Sequence, residues 1–296
     1  MSKEIHGYMA VICAASMWGI GGAVAKSLFN QDVSPFFLVK MRLLLSFLIL
    51  VVGLSVYKPR LLYIAKKDIA YFAILGICGM AMLQFFYFLT ISLTNVATAV
   101  FLQYLAPVLI ALYTVIWEKV ILSWQQKSAV LAATIGGLFI MLDGGGIEGI
   151  TLGGLASGLA AAMAAAFNTI YINRGVRDYH PVTALTYSCG FGAIFWWALL
   201  PSWEAGGIGS EQWLMFLYVV VFSTIIPFLL FFFGLRYLSA TNVSVTSSLE
   251  PVIAAVAAYF ALGETMGLLQ MLGGVLVLTA VFMLQHQNLA LNKAES

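Results

Sequence analysis

The sequence predicts an all-α integral membrane protein of ten transmembrane helices, folded as two inverted five-helix repeats with the N- and C-termini cytoplasmic. Three observations carry that expectation. Hydrophobic residues make up 62% of the chain and charged residues 9%, against roughly 25% charged in soluble domains. A length of 296 residues accommodates about ten stretches of ~20 residues, the length that crosses a bilayer as a helix. The chain also repeats itself: Leu105-Ala106-Pro107-Val108 returns 144 positions later as Leu249-Glu250-Pro251-Val252. The same offset brings Gln126 onto Gln270, and an offset of 146 brings Pro35 onto Pro181. Charge sets the orientation. With the N-terminus inside, all but three of the 14 lysines and arginines face the cytoplasm, among them Lys3, Lys58, Arg60, Lys66, Lys67, Arg174, Arg177 and Arg236, as the positive-inside rule requires. The outer loops instead hold Asp32, Asp143, Glu148, Glu204 and Glu211.

Hydropathy places the elements in order. Helix 1 runs at about 7–28 and helix 2 at about 36–56, entered after Ser34-Pro35. Helix 3 follows at about 69–90, helix 4 at about 95–116, and helix 5 at about 128–142, stopped by Asp143-Gly144-Gly145-Gly146. Helices 6 to 10 occupy about 152–173, 181–200, 212–235, 241–262 and 267–286. The repeats divide the chain at 1–146 and 147–296. Lys3, the apolar stretch and Ala23-Val24-Ala25 loosely imitate a secretory signal. Cleavage there would delete the partner of helix 6, so the stretch is taken as helix 1. An odd number of helices per half inverts one half relative to the other. Inverted repeats place substrate sites near the midplane, between the halves.

Composition excludes several functions. A net charge of +2 offers nothing to nucleic acid. Cys13, Cys78 and Cys189 sit within apolar runs and read as small buried residues. His6, His180 and His286 fall on separate elements, so neither a metal site nor a catalytic triad is expected. Gly22-Ala23-Val24-Ala25-Lys26-Ser27 lacks the second glycine of a phosphate loop. No cofactor or nucleotide-binding element is expected, so work would draw on an ion gradient or the substrate's own gradient.

Glu250 is the first candidate site residue. It lies ~14 Å from the predicted start of helix 9 at a rise of ~1.5 Å per residue, near the middle of the bilayer. A carboxylate there costs ~2.5–3.5 kcal/mol on insertion scales. It shares a helix face with Ser247 and other small or hydroxylated residues. Either it titrates a proton or binds a cation in a cavity, or it ties helix 9 to a neighbouring helix end. Pro251 directly follows it and Pro107 is its symmetry mate. Each removes a helical donor, freeing the carbonyls of Ser247 and Gln103. The Gln103 amide lies one turn from Ala106 and either lines a cavity or bonds another helix. Trp18 beside Gly19, Gly21 and Gly22, with Gln84, Tyr87 and Asn168, forms the next tier of cavity candidates. An indole face suits a cationic ligand. Lys26, Lys40 and Arg42 lie near the outer ends of helices 1 and 2. They either guide anions at the outer mouth or, with the long side chains of Lys40 and Arg42 able to snorkel outward, pair with Asp32 or satisfy backbone carbonyls.

Leu249-Glu250-Pro251-Val252, Leu262-Gly263-Glu264, Gln270 and Gly273-Gly274, with the weaker copy around Pro107, Ala106 and Trp117-Glu118, resemble the EamA-type members of the drug/metabolite transporter superfamily. That resemblance covers nearly the whole chain. It implies a multi-pass carrier of the inner, cytoplasmic membrane moving amino acids, other metabolites or drugs, often outward. The expected function is therefore export of a small organic metabolite, amino-acid-like or cationic, by alternating access, with Glu250 matching its charge or coupling it to a proton. The alternative is uptake or exchange of an organic anion by Lys26, Lys40 and Arg42. A sensor or scaffold, or a membrane-embedded enzyme, ranks lower, the enzyme for want of clustered His, Asp and Glu at one interface. The pairs Gly136-Gly137 and Gly273-Gly274 permit close helix contact, within one chain or across a homodimer.

Overall fold

In a computed structural model the described residues are 3–31, 33–143, 151–199, 210–262 and 267–294. They form helices and no strand. In chain order these are α1 (Lys3–Phe29), α2 (Pro35–Tyr57), α3 (Lys66–Leu93), and α4, split into Val96–Gln103 and Ala106–Ile116. Then come α5 (Trp124–Asp143), α6 (Leu152–Asp178), α7 (Pro181–Leu199) and α8 (Gln212–Leu235). The last two are α9, split into Ala240–Ser247 and Glu250–Leu262, and α10 (Leu268–Ala294). Among the described residues, eight of these helices are long and apolar enough to cross a membrane; α5 and α9 are the other two. The polar opening of α5 at Gln125-Gln126-Lys127-Ser128 and the split in α9 set them apart. Gly144-Gly145-Gly146, Asp32, Glu148, Glu204 and Gly263-Glu264 lie outside the described residues.

The continuous helices expected at 95–116 and 241–262 are corrected to broken ones. Each breaks at a two-residue turn, Tyr104-Leu105 or Ser248-Leu249, directly ahead of the Ala106-Pro107 or Glu250-Pro251 pair. The turns tighten to three-residue hydrogen bonds, Leu105 N–H to the Leu102 carbonyl at 3.2 Å and Leu249 N–H to the Thr246 carbonyl at 3.2 Å. Each proline thus occupies the first turn of a new helical segment, where a backbone N–H has no intrahelical partner to lose.

Local detail repeats at the sequence offsets. The two breaks lie 144 positions apart, as do the N-caps Asn95 and Ser239, whose side chains accept from Thr98 N–H at 2.8 Å and Asn242 N–H at 3.2 Å. The π-helical stretches Leu75–Ala81 in α3 and Val221–Ile225 in α8 begin 146 positions apart. Packing is reciprocal too. α1 lies against α8 and both segments of α9, while α6 lies against α3 and both segments of α4. α2 pairs with α7 and α5 with α10. The interior space is therefore bounded by α1, α3, α4, α6, α8 and α9, with α2 contributing one residue.

The glycine pairs are used within the chain. A Cβ on Gly136 would stand 2.6 Å from the Gly273 carbonyl, Gly273 meets Gly136 in return, and Gly274 faces Val252. Of the two arrangements left open for these pairs, the α5–α10 crossing within the chain takes up Gly136 and Gly273. On the α6–α7 side, Tyr179 donates to Asp68 at 2.6 Å, which holds its phenol above the usual tyrosine range, and Thr183 donates to the Leu61 carbonyl at 2.7 Å. These bonds fasten the α2–α3 connection beneath α7.

Gly136→Ala is expected to lower thermal stability by about 1–3 kcal/mol, since the added methyl meets a backbone oxygen that cannot rotate away. Gly137→Ala, whose Cβ would meet only the Phe101 ring at 3.5 Å, should melt with wild type. Unfolding of both variants in detergent checks the pair.

Candidate functional site

The break in α9 makes Glu250 the first residue of a helical segment. Free amides and the positive end of the helix dipole favour a carboxylate at that position. Its side chain is 3% exposed. Oε2 accepts from the Tyr104 hydroxyl at 2.7 Å and Oε1 from the Tyr87 hydroxyl at 3.3 Å. Tyr104 occupies the matching break in α4, so the two breaks meet through this bond. α1 closes from behind, because a Cβ on Gly19 would stand 2.8 Å from the Glu250 carbonyl. Both hydroxyls are neutral donors, and among the described residues no cation bonds the carboxylate.

Arg42 provides the opposite charge. It does not snorkel at the outer mouth: it is 2% exposed, inside the bundle, where it satisfies a backbone carbonyl, one of the roles expected of it. Nε donates to Thr224 Oγ1 at 2.9 Å, and Nη2 donates to the same oxygen at 2.5 Å and to the Ser223 carbonyl at 2.9 Å. The Phe88 ring lies 4.8 Å from the guanidinium carbon. That acceptor exists because of Pro227. In a regular helix the Ser223 carbonyl would accept from residue 227, whose proline nitrogen carries no hydrogen. The π stretch accommodates the mismatch, and Thr224 Oγ1 reaches back to the Val219 carbonyl at 2.9 Å. The freed carbonyl then takes Arg42 and also Trp18 Nε1 at 3.2 Å. Arg42 and Glu250 are not hydrogen-bonded to each other.

Both charges line one cavity, with about 770 Å³ of empty space when the part open to solvent is counted. Trp18, Gln84, Tyr87, Gln103, Asn168, Ser247 and Glu250 all line it, so the sequence candidates converge on a single space. Pro107 and Pro251 are buried beside it without lining it. The outer trio of cations does not assemble. Lys40 is 6% exposed with its ammonium 3.8 Å above the Trp197 ring, away from the cavity, and the Lys26 side chain lies outside the described part. Trp18 packs edge-on to Phe228 at 5.0 Å and against Phe231 at 5.4 Å, forming an aromatic wall. Gln103 Oε1, Asn168 Oδ1 and Ser223 Oγ are buried without a hydrogen-bond partner. Among the described residues no group of three or more His, Cys, Asp or Glu could hold a metal.

Sequence reasoning missed Tyr104, Ser223, Thr224 and Pro227. Pro227 carried a usable signal, since a proline within an apolar span points four residues back to a freed carbonyl. Tyr104 had none beyond its place beside Gln103. Thr224→Val removes the acceptor shared by two guanidinium nitrogens and is expected to cost about 1.5–3 kcal/mol. Thr224→Ser, which keeps the oxygen, should cost under about 1.5 kcal/mol. Thermal melts of the two variants compare them.

The comparisons with known proteins agree with this architecture. A solved crystal structure superposes over 100% of this chain and 99% of its own with a TM-score of 0.75, at 18% identity, a likeness of fold alone. The uncharacterized inner membrane transporter YicL of Salmonella typhimurium is 29% identical, with 96% of each chain covered. An uncharacterized transporter of Archaeoglobus fulgidus is 33% identical over 69% of this chain and 73% of its own. The threonine/homoserine exporter RhtA of Escherichia coli is 27% identical over 88% of this chain and 85% of its own. The model of the EamA-like transporter family matches twice, at residues 5–142 and 152–285, and the chain, a multi-pass helical membrane protein, belongs to that family.

Proposed function

We propose that this transporter exports a small organic metabolite bearing a cationic group, amino-acid-like or simply cationic, across the cytoplasmic membrane. It works by alternating access, with the halves 1–146 and 147–296 moving about the central cavity and both termini cytoplasmic. The observation that carries the reading is Glu250, a buried carboxylate on the cavity wall held by two neutral hydroxyls. A buried charge without a counter-ion is costly by several kcal/mol. A substrate ammonium or a proton relieves that cost, and one carboxylate accommodates only one of them well. Each therefore displaces the other, which couples outward substrate movement to inward proton movement. The names of YicL, an inner membrane transporter, and RhtA, an exporter, support location and direction.

The anion alternative requires Lys26, Lys40 and Arg42 together, and Lys40 points elsewhere. What remains of it is Arg42, which lines the same cavity as Glu250.

In proteoliposomes with a pH gradient imposed, wild-type protein is expected to concentrate radiolabelled substrate against its gradient. Glu250→Gln, which mimics the protonated acid in size, should lose the response to the pH gradient and slow net transport at least about tenfold, the scale of one charge-assisted bond. Wild-type rates from Glu250→Gln at every pH would sink the coupling role.

A further inference from the structure

We infer that Tyr8, Asn242 and Gln126 form a latch that holds the cytoplasmic end of the cavity shut at rest, so that loading from the cytoplasm has to break it. The inference rests on the alternating-access reading above and names the residues that decide which side stays closed.

The three side chains are joined in series at the end of the bundle that carries both termini. Asn242 on α9 donates through Nδ2 to the Tyr8 hydroxyl on α1 at 3.1 Å, and its Oδ1 accepts from Gln126 Nε2 on α5 at 3.2 Å. Tyr8 in turn donates to the Leu284 carbonyl on α10 at 3.2 Å. Each of these bonds ties the half 1–146 to the half 147–296. The halves therefore cannot part at this end without breaking all of them. Tyr8 is 3% exposed and Asn242 5%, so the chain of bonds is made away from water.

The latch lies directly beneath the cavity. Ser244 is the cavity residue of α9 nearest the cytoplasm, and Asn242 stands two positions below it. At the same level Asn173 Nδ2 donates to the Leu235 carbonyl at 3.2 Å, one turn below Thr169 and Phe231 of the cavity wall. Leu235 and Leu238 are buried there. An apolar plug ringed by neutral hydrogen bonds suits a gate. It excludes water when shut, and water replaces each partner when it opens.

The outer end lacks the counterpart. A Cβ on Gly7 would meet Leu238 at 3.1 Å, and one on Gly154 would meet Thr94, 144 positions before Leu238, at 2.6 Å. That match sets Leu155 on α6 where α1 has Tyr8. The offset of 144 sets Thr98 where α9 has Asn242, and Thr98 Oγ1 is buried without a hydrogen-bond partner. Gln270 repeats Gln126, but the positions it would join carry a leucine and this threonine. The repeat makes the two ends equivalent in frame and unequal in fastening. Bonds present in one state and missing from its mirror image shift the balance between them, here toward the shut cytoplasmic side.

The test follows access to the thiol of Ser244→Cys in full-length protein whose Cys13, Cys78 and Cys189 are replaced by alanine. The probe is the membrane-impermeant reagent sulfonatoethyl methanethiosulfonate. In inside-out vesicles labelling should be slow while the latch is intact. Tyr8→Phe, which keeps the ring and removes the hydroxyl, should speed it at least about tenfold, the scale of one buried polar group left unmet. Labelling from the outer face, in right-side-out vesicles, should slow at the same time. Gln126→Glu keeps the oxygen that caps Ser123 N–H at 3.0 Å and removes the donor to Asn242, so it should act in the same direction. It decides alone where Tyr8→Phe does not fold. Unchanged labelling overturns the latch, and so does faster labelling from both faces, the mark of a loosened fold. If access changes sides as expected but no proton flux accompanies any metabolite gradient in proteoliposomes, the transport reading fails and the latch stands. Coupled flux with unchanged access would do the reverse.

Discussion

The bond from Arg42 to the Ser223 carbonyl organises the centre of this protein. Hydrocarbon supplies no hydrogen bonds, so a backbone group released from its helix must be met by the protein itself. Pro227 releases one, and the guanidinium and the Trp18 indole meet it from α2 and α1. A buried arginine and a buried carbonyl, each costly alone, are thereby satisfied together. The arrangement joins three helices and sets where the cavity wall lies. Gly21 permits it, since a Cβ there would meet Ser223 Oγ and stand 3.0 Å from Ser223 Cβ, so a side chain would force the Ser223 hydroxyl aside.

The repeated frame and the unrepeated charges have separate roles. Broken fourth and ninth helices, π stretches in α3 and α8, and reciprocal packing of α1 and α6 all recur between the halves. The charges do not recur. Ala106 stands where the frame would repeat Glu250, and Ser188, bonded to its own helix at the Ala184 carbonyl, stands where it would repeat Arg42. Symmetry supplies two equivalent breaks meeting at the centre, and single substitutions within it give the cavity a polarity from α8 toward α9.

Much of this was legible in the sequence because membrane folds are constrained by composition. Apolar run lengths marked the helices, and the offsets of Pro107 and Pro251 revealed the repeat. Glu250 stood out because a carboxylate at that depth is rare. Arg42 was misplaced for a physical reason. Its distance from the predicted helix end measured depth along one helix, whereas burial depended on a partner created by Pro227 some 180 positions away. Tyr104 was hidden differently, because its direction depends on the break in α4, and helical periodicity fails at a break. The prolines were recognised, but as defects in continuous helices rather than as starts of new ones.

That last distinction bears on how the site works. A kinked continuous helix would present Glu250 as an isolated acid, destabilised by depth alone. A helical segment beginning at Glu250 surrounds it with first-turn amides, and the matching break presents Tyr104 from the opposite half. The carboxylate is thus held by hydrogen bonds and a dipole, none of which carries a full positive charge. It is stable enough to be retained within the bilayer and incompletely neutralised, which is the condition under which a cationic group or a proton gains by arriving. Arg42 meets the same condition with the opposite sign, anchored by dipoles and facing the same space. The protein thereby brings these two opposite charges to one cavity wall, while every other described charged residue stays outside it.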